Sequence, residues 1–177
     1  SIRRRAKVGD WVVGSGSNDL SIRRGGHLVY AMRVTEAIKF DGYDTDSRFE
    51  SKKPYRNGSR KQSCGDNIYF RASAGAVWCQ RDSFHSGPDG SLNPDHVAHD
   101  TDVDRVLISS DFVYFGGEGP KFPEKLQDQK GRHLYKKGRG VNTFDDTKLF
   151  STFEQWIRSF GVSGYQGAPF EWLTLRR

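Results

Sequence analysis

One stretch of this chain, residues 145–161 (DDTKLFSTFEQWIRSFG), carries an apolar stripe at helical spacing, and no other stretch carries one as clear. Leu149, Phe150, Phe153, Trp156, Ile157 and Phe160 line one face. Asp145 or Asp146, or a Ser151–Glu154 capping box, supplies a start, and Gly161 a stop. The rest reads as short β-branched or aromatic runs cut by turns, with no alternation of strand and helix. That pattern argues against a doubly wound parallel sheet. It predicts an α+β chain: a mixed β-barrel of short strands with a C-terminal amphipathic helix.

The strands are placed by alternation and by their glycine stops. GDWVVG (9–14) is a short one. HLVYAMRVTEAIKF (27–40) reads as one long strand, with Leu28, Tyr30, Met32, Val34, Ile38 and Phe40 on one side. A helix through YAMRVTEAIK is the alternative. NIYFR (67–71) and AVWCQ (76–80) form a hairpin across ASAG, and RVLIS (105–109) and DFVYFGG (111–117) are two more strands. Residues 41–66 and 81–104 read as long polar loops, of the kind that carry function.

A length of 177 residues suits one domain over 1–177, and aromatics at 13% supply a core that a mean hydropathy of −0.75 otherwise leaves thin. The formal net charge of +6 favours an anionic partner. The charge is segregated. Arg3, Arg4, Arg5 and Lys7 open the chain; Lys52, Lys53, Arg56, Arg60 and Lys61 share one loop; Lys130, Arg132, Lys136, Lys137 and Arg139 share another; Asp95, Asp100, Asp102 and Asp104 stand apart. Two cysteines, Cys64 and Cys79, give no disulfide framework, with Cys79 reading as a buried thiol. No apolar run is long enough to span a membrane and no signal peptide is visible. A reduced, cytoplasmic setting is expected, although the chain opens on Ser1 rather than Met.

Three groups of residues carry candidate chemistry. GSGSN (14–18) follows a strand, but without a third glycine or a following helix it is no dinucleotide fingerprint. It is a loop of N–H and hydroxyl donors suited to a phosphate or a base edge, or else a solvent turn. Strand aromatics such as Trp11 and Tyr69 suit stacking of bases, or plain core packing. KKPYRNGSRK (52–61), with Tyr55 among Lys53, Arg60 and Lys61, suits gripping of phosphates, or is a solvated charge run; Arg71 is a further candidate. His85, His96, His99 and Asp100 fall close together in a chain with five histidines. His-x-x-His with an aspartate could ligate a divalent metal, the pair His99–Asp100 could move protons, and Asp and His also build loops. No nucleophile elbow is present. The expectation is a site without metal or cofactor.

Several blocks together, VGDWVVGSGS, GHLVYAMRVTEAIKF, RFESKKP, GDNIYFR, WCQRDSFHS, HDTDVDRVLISSDFVYFGGEGP and GVSGYQGAPFEW, resemble the nucleotide modification associated domain 2 family of bacteria and phages. DSFHS, HDTDVDRVL and YFGGEGP are the most specific. The resemblance implies an association with DNA base hypermodification and a nucleic-acid or nucleotide partner. By position it brings Gly14, Ser15, Gly16, Ser17, Lys53, Asp66, Asp82, His85, His99, Asp100 and Arg105 forward as site residues, and it implies a further segment ahead of Ile2. KKGRGVNTF (136–144) departs from the family pattern. The Gly9–Asp10 pair leading into a strand is also similar to PUA-like domains (EVE, YTH and ASCH), which bind modified or flipped bases beside a barrel.

These readings converge on a nucleic-acid-binding domain, with DNA preferred over RNA, that recognises a modified base. Basic loops would hold phosphates, an aromatic would stack the base, and Ser15, Gly16, Ser17 and Asp82 would help to read its edge. Partner proteins of a modification system are possible company. The alternative is an enzyme acting on a nucleotide or modified base through His85, His99 and Asp100. Its geometric requirement is that these side chains converge, with Ser15 or Ser17 in the same cleft.

Overall fold

A computed structural model describes residues 1–138 and 140–174; Arg139, counted above in a basic loop, lies outside them. In chain order the elements are α1 (Ile2–Arg5), β1 (Trp11–Ser15), β2 (Leu28–Arg33), β3 (Glu36–Ile38) and α2 (Phe40–Thr45). A 3-10 turn (Ser47–Lys52) precedes α3 (Arg60–Ser63), β4 (Tyr69–Arg71), β5 (Trp78–Gln80), α4 (Pro94–Asp100), β6 (Val106–Ile108) and β7 (Asp111–Tyr114). A second 3-10 turn (Gly116–Glu118) leads to α5 (Thr147–Arg158), β8 (Gly164–Tyr165) and α6 (Phe170–Thr174). The chain forms two units, one of Ser1–Arg5 with Glu36–Ile108 and one of Ala6–Thr35 with Ser109–Arg177.

The second unit is built on an open sheet of order β1-β2-β7-β8, antiparallel except for the β7–β8 pair. Leu28, Ala31 and Val113 from the sheet meet Leu149, Phe153 and Ile157 from α5 in its core. Trp156 and Phe160 pack at the margin, so the stripe read from sequence is the face that is buried. The Asp146 carboxylate caps α5 by accepting from Lys148 N and Leu149 N, both at 2.9 Å, which settles the start among the candidates. At its other end the N–H of Gly161, at a φ of 63°, donates to Arg158 O.

The first unit has two small antiparallel ladders, β3–β6 and the predicted hairpin β4–β5. Its apolar core is slight: Phe40, Ile68 and Tyr69, flanked by Trp78, Val97 and Val106. Guanidinium groups add to it by lying on rings, Arg71 over Trp78 at 4.4 Å and Arg81 over Phe70 at 4.2 Å.

Three expectations are corrected. No sheet among the described residues closes into a barrel, because β1 and β8 each pair on one side only and a barrel needs two neighbours for every strand. The long strand 27–40 is two strands. β2 ends at Arg33, where Val34 N turns back to Asp10 O, and β3 pairs with β6 in the other unit. The stretches 41–66 and 81–104 are not plain loops. They hold α2, α3 and α4, each too short to show a stripe, and α4 is set by Asn93 at its cap and Pro94 in its first turn.

Candidate functional site

In the first unit β5, the loop that follows it and α4 bring His85 and Asp100 together. Gln80, at the end of β5, donates from Nε2 to His85 O (3.1 Å) and accepts the N–H of Asn93, the α4 cap, on Oε1 (2.7 Å). One side chain therefore fixes both segments. The 83–86 turn is rigid for its own reasons. The buried Ser83 accepts the His85 N–H on Oγ at 3.1 Å, and Ser83 N donates to Ser86 Oγ at 3.0 Å. Arg56 braces the turn through Asp82 (2.7 Å) and Gly87 O (3.2 Å).

The Asp100 carboxylate gathers three side chains. Oδ2 accepts the Tyr69 hydroxyl at 2.6 Å and faces His85 Nδ1 at 2.9 Å, while Oδ1 faces His99 Nδ1 at 3.0 Å. The Tyr69 hydroxyl also lies 3.3 Å from His85 Nδ1. A carboxylate is acceptor only, so it places the proton of neutral His85 on Nδ1 and leaves Nε2 with the lone pair. Burial by itself would raise the Asp100 pKa, but hydrogen bonds from Tyr69, His99 and His85 outweigh it and hold the group at about 2. Burial, then the bond to Asp100, pushes the Tyr69 phenol above its ordinary range. His85 is half-exposed, His99 is at the surface, and the His96 ring stands edge-on to His85 at 5.1 Å. From α1, Arg3 donates to the Asp100 carbonyl and to Val103 O, and its guanidinium lies 5.4 Å from the Phe40 ring centre.

The other predicted residues have different surroundings. Arg71 is spent on Asp41 (2.6 Å) and Asp104 (2.9 Å), and Lys53 on Glu50 at 2.6 Å, with Asp44 at 3.8 Å. Asp82 is held by Arg56 and Ser86, Asp66 accepts the Tyr43 hydroxyl at 2.7 Å, and Arg105 donates to Arg3 O. Tyr55, Arg60 and Lys61 are exposed, and the two cations have no carboxylate partner among the described residues. Cys64 and Cys79 are free thiols, the second half-buried rather than buried.

In the second unit Trp11 packs edge-on against Phe153 (5.4 Å), in the core. The ring of Tyr30 lies so close over Gly14 that a Cβ there would sit 2.2 Å from it. Ser15, Gly16 and Ser17 line a cavity in this same unit. The histidines and Asp100 thus converge with one another, and the Gly/Ser loop belongs to the other unit. Of the residues that position the cluster, Gln80 carries no sequence signal, and Arg3 reads only as part of a basic terminus, not as a partner of the Asp100 segment.

Among the described residues no group of three or more His, Cys, Asp or Glu is placed to hold a metal ion, the His85 and His99 Nδ1 atoms being turned to Asp100. Nor is any helix long and apolar enough to cross a membrane.

A mixed α+β chain with an aspartate-bound histidine half-open to solvent is a frame for proton transfer or for hydrogen-bonded ligand recognition. The chain belongs to the nucleotide modification associated domain 2 family, whose model matches residues 1–176. No curated protein and no solved structure matches it. An association with nucleotide modification follows from the family.

Proposed function

We propose that this protein acts on a nucleotide base, free or within nucleic acid, with His85 Nε2 taking a proton from the base or returning one. The observation that supports this is the Asp100 carboxylate holding His85 Nδ1 at 2.9 Å and Tyr69 at 2.6 Å beneath a half-exposed imidazole. Asp100 orients the ring, fixes the tautomer and steadies the imidazolium that forms; Tyr69, a core residue, keeps the carboxylate in place. His85 is the catalytic residue of this reading, and Asp100, Tyr69 and Gln80 are positioning residues.

The test is incubation of the full chain with modified and unmodified DNA, RNA and free nucleotides in deuterated buffer, read by mass spectrometry of the bases. A base carrying deuterium at an otherwise inert position is expected with the native protein. His85→Asn should abolish it, and Asp100→Asn should slow it by about 10²-fold or more. No change with any base, or equal rates in the variants, sinks the reading.

A second reading, binding of nucleic acid without turnover, draws on charge. The second unit carries 15 Lys and Arg against 10 Asp and Glu, and Arg60 and Lys61 of the first unit are exposed.

A further inference from the structure

The second unit has a cavity of about 280 Å³ that is open to solvent. Its position follows from the β1–β2 ladder. The register slips between Gly14 and Ser15, so a bulge turns the chain out of the sheet where the Gly/Ser loop begins. The loop then folds back: Gly16 N donates to His27 O (2.9 Å), and Arg24 N donates to Ser17 O (3.0 Å). Gly16 has to be glycine, since a Cβ would stand 2.4 Å from Arg24 O. The cavity's lining includes Ser15, Ser17, Arg24 and His27 together with the aromatics Tyr114 and Phe170.

Arg24 is the residue that asks for a ligand. It is half-buried, and its guanidinium donates to Gly119 O at 2.9 Å, which fixes its place. It has no carboxylate partner among the described residues, whereas Arg33 and Arg158 of the same unit both do. A held guanidinium without a carboxylate partner, on a residue that lines the same cavity as two serines and two aromatics, has the chemistry of an anion site that also suits a planar ligand. The volume is at the low end of ligand pockets, roughly 300 Å³ upward, enough for one small ring system and not for two nucleotides. That small volume favours one phosphate over a di- or triphosphate.

We infer that this cavity takes a single nucleoside monophosphate unit, its phosphate on Arg24 and the serine hydroxyls and its base against Tyr114 and Phe170. The phosphate-plus-ring chemistry stands on the cavity alone; the choice of a nucleotide rests on the reading above. The unit has two possible sources, a free mononucleotide or one residue of a strand.

Calorimetry on the full chain decides, with the four deoxynucleoside monophosphates, their nucleosides, inorganic phosphate and a short single-stranded oligonucleotide. At least one monophosphate or the oligonucleotide should bind, and the nucleosides and phosphate at least about tenfold more weakly. Tighter binding of the oligonucleotide assigns the strand, and tighter binding of a monophosphate the free nucleotide. Arg24→Gln should weaken binding about tenfold or more. Phe170→Ala, on a different element, should do likewise and guards against misfolding of the first variant. No binding of monophosphate or oligonucleotide, or native affinity in both folded variants, overturns the proposal. Intact binding with no base chemistry sinks the His85 reading alone, and the converse sinks this one alone.

Discussion

Asp100 concentrates the chemistry of the first unit in one carboxylate, and its titration is a direct measure of that. Its folded pKa, about 2, is below the ordinary 3.8 despite burial, because Tyr69, His99 and His85 donate to the ionised form. Protons therefore bind the unfolded chain first. The stabilisation is fully present above about pH 4 and is lost as pH falls through about 2. The shift is worth no more than about 2.5 kcal/mol, and solvent at the partly open site reduces it. Urea unfolding of the native protein and of Asp100→Asn should show a gap near pH 6 that narrows towards pH 2.5. A gap constant across that range means that the three donors do not stabilise the charge.

Elements differ in how much of them the sequence shows. Helix α5 is legible because twelve residues repeat their apolar face three times over, and packing on β2 and β7 buries that face. Helix α4, seven residues with none buried, has no face to repeat, and it reads as loop although it carries Asp100. The same is true of the break after Arg33. Val34 is apolar and buried, so alternation runs through a point where hydrogen bonding changes partner. The grouping of His85, His99 and Asp100 is legible from spacing, but Tyr69 reads equally as core, and it is a buried residue whose hydroxyl also donates to Asp100. For α5 the open point in the sequence is which residue caps it. Asp146 accepts Lys148 N, Leu149 N and, across the loop, Gln129 N at 2.9 Å, while Asp145 is exposed. Asp146→Ala should cost about 1–2 kcal/mol in denaturant unfolding and Asp145→Ala almost nothing. Equal losses would move the cap elsewhere.

Across the whole chain the net charge is a poor guide until pairing is known. The first unit holds 13 Lys and Arg against 12 Asp and Glu, and most of its cations are already committed: Arg3 and Arg4 to Asp102, Arg48 to Glu36 and Asp46, Arg81 to Asp44. The 52–61 loop, a phosphate grip by composition, loses Lys53 to Glu50 and Arg56 to Asp82 in the same way. The excess lies in the second unit, where Lys136 and Lys137 are exposed with no carboxylate partner among the described residues. If nucleic acid is the partner, released counterions report the cations that touch phosphate, and a cation already neutralised by the protein releases none. For duplex DNA each contacting cation contributes about 0.9 to the slope of log affinity against log salt. Lys136→Gln with Lys137→Gln should therefore flatten that slope by about 2. Lys53→Gln should leave it unchanged, because its charge is spent on Glu50. A slope flattened by Lys53→Gln and untouched by the lysine pair would return the grip to the first unit and refute the pairing account.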